Sequence, residues 1–145
     1  MDFKEKIADF HFKTPIDLRF SDMDMFGHSN NAVYLTYFEQ ARSAYWKKIL
    51  NWDWKTYGIV IVKAEVEYIQ PITLEDEVWI YVRTSKIGNT SFEIEYVIVS
   101  IVNGEETLRT TGKTKQVTID YKTKKPAAIP AEAKEKMIAL DQPEI

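Results

Sequence analysis

One long helical pattern, followed by strand patterns over most of the remaining chain, constrains the fold more than any other feature of this sequence. Apolar residues recur at intervals of about four between residues 30 and 50. They form two rows, Val33, Tyr37, Ala41, Tyr45 and Tyr34, Phe38, Ile49. An ordinary surface helix carries one apolar stripe, so two rows predict a buried helix wrapped by a sheet. Asn30 or Asn31 can cap its first turn, because a short amide side chain accepts bonds from unpaired helix amides.

Strand patterns lie on both sides of this helix. Alternating apolar and polar residues predict a strand over Ile16–Ser21, before the helix. Four further strands are predicted after it, over about 59–69, 78–83, 92–98 and 106–120. Asn103-Gly104 is a hairpin signal, Pro71 ends a strand, and a short helix is expected over Ala131–Leu140. This order predicts an α+β domain with antiparallel strands, paired as hairpins or a meander, and one helix on a face.

Composition excludes several classes of function. The 145 residues suit one domain over 1–145, and the absence of cysteine excludes disulfides, thiolate metal sites and cysteine nucleophiles. A net charge of −3 argues against general nucleic-acid binding. No apolar run approaches the ~20 residues that span a bilayer, and Met1–Lys6 mixes both charges, which is unlike a signal peptide. We therefore expect a soluble, cytoplasmic protein with no membrane span.

The loop before the helix carries the most distinctive motif. It reads Asp22-Met23-Asp24-Met25-Phe26-Gly27-His28-Ser29-Asn30-Asn31 and leads into Phe38-Glu39-Gln40-Ala41-Arg42. Together with segments at 65–71, 88–92 and 118–120, it resembles the 4-hydroxybenzoyl-CoA thioesterase-like family of the hotdog superfamily. The resemblance extends over about residues 14–130. It implies a single hotdog fold, a sheet of about five strands around one central helix, and hydrolysis of an acyl-CoA without a metal or bound cofactor.

The resemblance assigns the chemistry to Asp24. This residue matches the family's catalytic carboxylate, which acts as a general base toward water or as a nucleophile on the thioester, and Asp22 is expected to be a structural partner. Loop aspartates also form Asx turns, which is the alternative for both. The helix that follows gives the chemistry a physical reason, because its amides and dipole would polarise a thioester carbonyl. Each such donor is often worth roughly 3 kcal/mol to an oxyanion.

Three further residues, His28, Gly27 and Glu39, each have two interpretations. The resemblance gives His28 a helping role in orienting substrate or loop, although a lone histidine is more commonly structural. Gly27 suits either a close approach to a ligand or a turn with positive φ. Glu39, on the helix, is the alternative catalytic carboxylate, since some hotdog thioesterases place theirs there. Its other interpretation is an ion pair with Arg42 three residues later.

Coenzyme A carries phosphates, so basic residues are expected near the mouth of a substrate site. Lys86, Lys113 and Lys115, with Arg83, are the candidates, although lysines on a strand face are commonly only solvated. Asn31 and Tyr34 are further candidates for substrate contact, with a helix cap as the alternative for Asn31. The aromatic residues are expected to line an acyl tunnel or, alternatively, to form core and dimer contacts. They are Tyr34, Tyr37, Phe38, Trp46, Trp52 and Trp54.

The resemblance also implies an assembly, and it leaves other functions open. Members of the family work as homodimers with the acyl pocket between subunits, and many pair again into a dimer of dimers. An acyl-carrier-protein thioesterase is one alternative, although Phe26 stands where the plant-type enzymes carry asparagine. A non-catalytic module that binds acyl or aromatic ligands is another. Asp24 and His28 also have the raw spacing of a hydratase motif, but they lead into a helix of the thioesterase type.

Overall fold

The computed structural model describes residues 3–145, so Met1 and Asp2 of the mixed-charge amino terminus lie outside the described residues. The helices are α1 (Phe3–Ile7), α2 (Val33–Tyr45) and α3 (Ala131–Asp141). The strands are β1 (Phe12–Ile16), β2 (Tyr57–Tyr68), β3 (Glu77–Ile87), β4 (Ser91–Val102) and β5 (Glu105–Asp120). A 3₁₀ turn, Phe20–Asp22, precedes α2, and a π turn, Trp46–Leu50, continues it. Across residues 3–145, no helix has the length and apolarity to cross a membrane.

The five strands form one antiparallel sheet in the order β1-β3-β4-β5-β2. β3, β4 and β5 make the predicted meander, and the turn between the last two is Asn103-Gly104, with both residues at positive φ. β2 pairs with β5 at one edge and not with β3, the strand that follows it. The α+β class, with about five antiparallel strands around one long helix, is therefore confirmed, and it is the architecture that the hotdog resemblance implies.

The core lies between α2 and one face of the sheet. The Phe38 ring stacks on Tyr96 of β4 with 4.3 Å between ring centroids, and both side chains are fully buried. The same ring lies against Gly112 of β5, where an added Cβ would come within 2.3 Å of it. Glycine at this position therefore allows the helix to approach the sheet closely.

The expectation that α2 is buried on all sides is wrong. Leu35, Glu39, Ser43 and Lys47 follow one another at intervals of four residues, and all four are exposed. This row lies on the side of the helix away from the two apolar rows and is mostly polar, so it stays in water while the opposite side packs on the sheet. The helix therefore has one buried face and one solvent face in this chain.

The strand predicted over Ile16–Ser21 is also misplaced, because β1 ends at Ile16. Beyond it, the backbone N–H of Arg19 donates to the Asp22 carboxylate over 3.0 Å, and the chain turns into the short 3₁₀ segment. The apolar and polar alternation continues through Leu18 and Phe20, which made this segment resemble a strand. A local side-chain bond to the backbone displaces the ladder here.

The terminal helices pack on opposite parts of the sheet. The segment containing α1 places Phe10 on the outer face, against Val97 and Val99. α3, close to its predicted bounds, anchors its end through Asp141, whose carboxylate accepts a 2.5 Å bond from the Tyr45 hydroxyl. Burial raises the pKa of Asp141. Neither contact involves the loop before α2.

Candidate active site

Asp24 sits in a tight loop that its own carboxylate organises. Its Oδ1 accepts hydrogen bonds from the backbone N–H groups of Phe26, at 2.9 Å, and His28, at 3.2 Å. The Asp24 N–H donates to the His28 carbonyl over 2.8 Å, and Gly27 has a φ of 78°. Asp24 therefore forms the Asx turn of the alternative interpretation, and it does so through Oδ1. Within residues 3–145, Oδ2 accepts no hydrogen bond, so one oxygen of a well-fixed carboxylate is left for another partner.

Asp22, two residues earlier, is buried and fully engaged. The residue is 2% exposed and lies in the bend before α2. Oδ1 accepts from Arg19 Nε at 3.0 Å, while Oδ2 accepts from the Arg19 N–H at 3.0 Å and the Tyr37 hydroxyl at 3.1 Å. Burial alone would raise the pKa of Asp22, but the bonds from Arg19 and Tyr37 hold it below the usual range. This is the arrangement of a structural carboxylate.

The loop is tied to the sheet and to α2 on both sides of Asp24. The Ser29 N–H donates to the Ile72 carbonyl over 2.8 Å, and the Ser29 hydroxyl lies 2.9 Å from that of Tyr37. The Asn30 N–H donates to the Asp22 carbonyl over 2.8 Å. Burial raises the pKa of Tyr37 to about 12, so its hydroxyl stays protonated and can donate to Asp22 at neutral pH. These bonds fix the loop against the first turns of the helix.

The start of α2 faces the loop. Asn30 Oδ1 accepts from the N–H of Ala32 at 3.0 Å, and the Asn30 carbonyl accepts from Val33 at 2.9 Å. Asn30 therefore makes the cap-like bond that the sequence predicted, one turn before the helix proper. The exposed Asn31 instead uses its carbonyl, which accepts a 2.8 Å bond from the Tyr68 hydroxyl of β2.

Two cavities meet at Asp24. The first, which we call the polar cavity, has a volume of about 250 Å³ and lies between the start of α2 and the end of β2. Its lining is Asp24, His28, Ser29, Asn31, Tyr34, Tyr68, Ile69, Gln70 and Pro71. The buried Tyr34 contacts Tyr68 edge to face at 4.9 Å, and burial raises its pKa. The structure thus brings four predicted residues together: Asp24, His28, Asn31 and Tyr34.

The second, which we call the apolar cavity, has a volume of about 550 Å³ on the other side of the loop. It is lined by Phe20, Met23, Asp24, Met25, Gly27, Leu74 and Glu75. Sequence reasoning missed Phe20, Leu74 and Glu75 here, and Tyr68 and Gln70 in the polar cavity. The available signal was that four apolar residues, Phe20, Met23, Met25 and Phe26, lie close to the motif aspartate in the sequence.

Glu39 is not part of this constellation. Its side chain is 73% exposed on the solvent face of α2, with Oε2 3.9 Å from Nη2 of Arg42. This is the ion pair that the alternative interpretation predicted.

The basic residues predicted for the coenzyme A phosphates lie elsewhere in this chain. Lys113 and Lys115 share one face of β5, as expected, but it is the face turned away from α2. Across the sheet they stand opposite Glu95 and Glu93 of β4. The exposed Lys86 lies near the end of β3, at the opposite end from the segment that contacts the loop around Asp24. A role for these lysines in phosphate binding remains a prediction.

The aromatic residues divide into core and surface. Most are buried in the main hydrophobic cluster between α2 and the sheet, namely Tyr34, Tyr37, Phe38, Trp46 and Trp52. Trp54 is partly exposed and contacts Trp46 edge to face at 5.4 Å. The alternative that they form core contacts therefore describes all but Trp54, and Tyr34 also reaches the polar cavity. In the part of the chain that the structure describes, no group of three or more potential metal ligands is assembled.

Comparison with known proteins identifies the relatives of this chain. The family model described as Thioesterase-like superfamily matches residues 18–137. The long-chain acyl-CoA thioesterase FadM of Escherichia coli strain K12 is 31% identical, over 86% of this chain and 96% of its own. A thioesterase of Thermus thermophilus, solved with coenzyme A and Zn, is 34% identical, with a TM-score of 0.78, over 94% and 98% of the two chains. A DHNA-CoA thioesterase of Staphylococcus aureus is 25% identical, with a TM-score of 0.78, over 90% and 92%.

Proposed function

Since this chain belongs to the Thioesterase-like superfamily and is a thioester hydrolase, we propose that it cleaves an acyl-CoA to the free acid and coenzyme A with Asp24 as the catalytic carboxylate. The observation that carries the proposal is the position of Asp24, with one oxygen fixed by two backbone amides and the other unbonded, between two cavities at the start of α2. The acyl-CoA substrate named for FadM and the coenzyme A in the Thermus structure support the substrate class.

The proposed reaction follows from this geometry. A thioester carbonyl in the polar cavity lies beside the first turn of α2, whose dipole favours the negative charge that develops on the oxygen. Asp24 takes a proton from water as the water oxygen attacks the carbonyl carbon. The carbon–sulfur bond then breaks, and the thiolate receives the proton from Asp24. In the nucleophilic version, Asp24 itself attacks the carbonyl, the thiolate leaves, and water hydrolyses the mixed anhydride; both versions need the carboxylate at the same place.

His28 and Gly27 support Asp24 in this proposal. The backbone N–H of His28 donates to Asp24 Oδ1, and the backbone carbonyl of His28 accepts from the Asp24 N–H. His28 also lines the polar cavity. Gly27 closes the loop at positive φ, and a Cβ there would meet no atom within 4 Å. Its requirement is therefore conformational. Asn31 and Tyr34 complete the wall that a substrate would touch.

Thiol release from a panel of short, long and aromatic acyl-CoAs tests the proposal. We expect turnover by the wild-type protein and a fall of about 10³-fold in kcat for Asp24→Asn, since a positioned acid–base group typically contributes 10²–10⁴-fold. Asparagine keeps an oxygen that can accept both loop amides, so the fold should be retained. Unchanged turnover in this variant would refute the role of Asp24.

The other functions predict different results in the same experiment. Release from acyl-carrier protein, with none from any acyl-CoA, would assign the chain to that class of thioesterase. Binding of acyl-CoA by a correctly folded wild-type protein without turnover would indicate a ligand-binding module.

We also propose the cytoplasm as the compartment of this protein, on the absence of cysteine from the sequence.

We propose a homodimer formed through β2. This strand is 12 residues long and lies at the edge of the sheet, with Val60 and Val62 half-exposed. A long edge strand with exposed apolar side chains is a surface that natural proteins cover or pair. Sedimentation velocity measures the assembly: a dimer has twice the chain mass of 16.9 kDa, and a dimer of dimers has four times that mass.

A further inference from the structure

The Arg109 side chain, on β5, contacts groups from different parts of the chain. Its Nε donates to the Ser100 hydroxyl over 2.6 Å, and its Nη1 donates to the Pro71 carbonyl over 3.0 Å and to Gln70 Oε1 over 3.3 Å. Its Nη2 lies 3.9 Å from Asp76 Oδ1, and the side chain is 14% exposed. Ser100 belongs to β4, whereas the other three residues lie in the segment between β2 and β3. The guanidinium therefore holds this segment against the sheet.

This segment, which we call the β2–β3 connection (residues 69–76), also contacts the loop before α2. The Ser29 N–H donates to the Ile72 carbonyl over 2.8 Å, and His28 forms an antiparallel bridge with Thr73. Ile72 is fully buried, so the carbonyl that accepts from the loop belongs to a residue fixed in the core. The backbone of the connection is therefore one of the surfaces that hold the loop in place.

Asp76 links Arg109 to the same contact. Its Oδ2 accepts from the Thr73 N–H over 2.8 Å, and its own N–H donates to the Thr73 carbonyl over 3.1 Å. Its Oδ1 faces Arg109, and because both side chains are largely buried, their attraction is screened less than that of a surface pair. Arg109 therefore stabilises the turn that presents Thr73 to the loop.

We infer that Arg109 is a positioning residue for the proposed hydrolysis: it holds the β2–β3 connection, and the connection holds the loop that carries Asp24. His28 joins the two steps, because its backbone N–H also donates to Asp24 Oδ1 over 3.2 Å. A displacement of about 1 Å at a reacting group can lower a rate by about 10²-fold, even when the altered residue lies far from the chemistry. This inference rests on the proposed function of Asp24.

A β-bulge in β5 places Arg109 beside the connection. Ile98 of β4 pairs with Thr110, but the next residue, Val99, pairs with Leu108, so Arg109 is the extra residue of the bulge. Its carbonyl accepts from the N–H groups of the first two residues of the connection, over 2.9 and 3.0 Å. Bulges occur often beside active sites, where they redirect a side chain. Both the backbone and the side chain of Arg109 therefore bind the connection.

The partners of Arg109 explain why an arginine suits this position. They are a hydroxyl, a carbonyl, an amide oxygen and a carboxylate, and they lie in different directions from the side chain. A guanidinium has five N–H donors on three nitrogens in a rigid fork, whereas a lysine ammonium has one nitrogen. Because a guanidinium only donates, Gln70 turns its amide oxygen toward Arg109 and its amide nitrogen away. One side chain thus fixes several groups at once.

Thiol release by Arg109→Met, on the acyl-CoA that the wild type cleaves fastest, tests the inference. Methionine keeps an unbranched stem and removes all the donors. We expect kcat to fall by about 10- to 100-fold and KM to change by less than about threefold, because the loop that carries the carboxylate is no longer held. In an Asp24→Asn background the same change should cost less than about twofold, since the group that it positions is absent. A higher KM with unchanged kcat, or equal losses in both backgrounds, would overturn the inference.

Amide hydrogen exchange tests the contact with the loop without any substrate. In Arg109→Met we expect the amides of Ser29 and Thr73 to exchange about tenfold faster, which corresponds to the loss of roughly one hydrogen bond. Unchanged exchange at both amides would overturn the inference. Absence of wild-type turnover on every acyl-CoA would refute the proposed function itself, whereas normal wild-type turnover with an unchanged rate in Arg109→Met would refute only the role of Arg109.

Two further variants separate positioning from charge and from general stability. Arg109→Lys keeps the charge but has one nitrogen, so its rate should stay close to that of Arg109→Met; full recovery would show that the charge alone suffices. Tyr81→Phe removes the 2.6 Å bond to Glu106 on the outer face of the sheet. It should lower the melting temperature by several degrees and leave kcat and the exchange of the Ser29 amide unchanged. A loss of rate equal to that of Arg109→Met would assign the effect to general destabilisation.

Discussion

Asp22 and Asp24 lie two residues apart in the same motif, yet the fold places them in opposite environments. Asp22 is buried, and both of its oxygens accept hydrogen bonds from Arg19 or Tyr37. Asp24 lies at the meeting point of two cavities, with only Oδ1 engaged by backbone amides. The difference shows that two aspartates of one motif can have different roles: one carboxylate holds the loop in place, and the other is available to a substrate.

The different roles of Asp22 and Asp24 follow from the number of hydrogen bonds that a carboxylate needs when it is buried. A carboxylate has two oxygens with about four acceptor sites, and a buried one must fill them to offset the cost of leaving water. Asp22 does so with a guanidinium, an amide and a hydroxyl. Asp24 is less buried, so one of its oxygens can remain without a protein partner at little cost.

Replacing Asp22 should have the largest effect on stability. In Asp22→Asn, one acceptor becomes a donor facing the donors of Arg19 or Tyr37, and an unsatisfied buried group costs roughly 1–3 kcal/mol. We expect the free energy of unfolding to fall by about 2 kcal/mol, as measured by urea denaturation. Asp24→Asn, measured in parallel, should change it by less than about 0.5 kcal/mol because both loop amides keep an acceptor. Equal losses of unfolding free energy in the two variants would contradict the structural role assigned to Asp22 alone.

The pH dependence of stability sharpens the same contrast. Because the pKa of Asp22 is lower in the folded protein than in the unfolded chain, its contribution is present above the unfolded value and is lost as pH falls through the folded value. The stability gap between the wild type and Asp22→Asn should therefore narrow as pH falls below about 4. Denaturant titrations at several acid pH values measure the gap. A gap that stays constant would show that Asp22 contributes through packing rather than charge.

Tyr37→Phe should have a smaller effect. The variant removes one donor to Asp22 and one partner of Ser29 but keeps the ring and the bonds from Arg19. Loss of a single hydrogen bond within a network typically costs about 1 kcal/mol. We expect that loss in thermal or urea unfolding, with the rate of thiol release reduced only slightly. Ser29→Ala is the matched control, and the double variant should show non-additivity, since the two hydroxyls are in contact.

Glu39→Gln should have the smallest effect of all. The carboxylate is exposed and its pairing with Arg42 is long, so the variant should change stability by less than about 0.5 kcal/mol. The rate of thiol release should remain close to that of the wild type. A loss of several orders of magnitude would transfer the catalytic role from Asp24 to Glu39.

Much of the fold could be predicted from the sequence because it depends on patterns within short segments. The spacing of Tyr37, Phe38 and Tyr45 on one helix, the alternation in β3 and β4, and the Asn103-Gly104 turn each specify structure within a short segment. The pairing of β2 with β5 could not be predicted in this way, because strand order depends on contacts between distant segments. The strand predicted at Ile16–Ser21 is wrong because local bonds between Arg19 and Asp22 outweigh the alternation.

The candidate site likewise has a part that a local motif predicts and a part that depends on contacts between distant segments. Asp24, His28, Asn31 and Tyr34 lie within one short stretch of chain, so a single sequence motif is enough to identify all four. Tyr68 and Gln70 reach the site from the end of β2, and Leu74 from the segment before β3. Their arrival depends on how the sheet folds back on the loop. Charge and strand spacing place Lys113 and Lys115 on one strand face, but neither property says which side of the sheet that face occupies.

Catalysis by Asp24 is tested most directly by a paired measurement of Asp24→Asn and Asp22→Asn, each under conditions where it is fully folded, with single-turnover thiol release and unfolding recorded on the same preparations. We expect Asp24→Asn to lose about 10³-fold in rate with nearly unchanged stability. We expect Asp22→Asn to lose about 2 kcal/mol in stability and to keep its rate within about tenfold. A reversal, with the larger loss of rate in Asp22→Asn, would contradict the assignment of catalysis to Asp24.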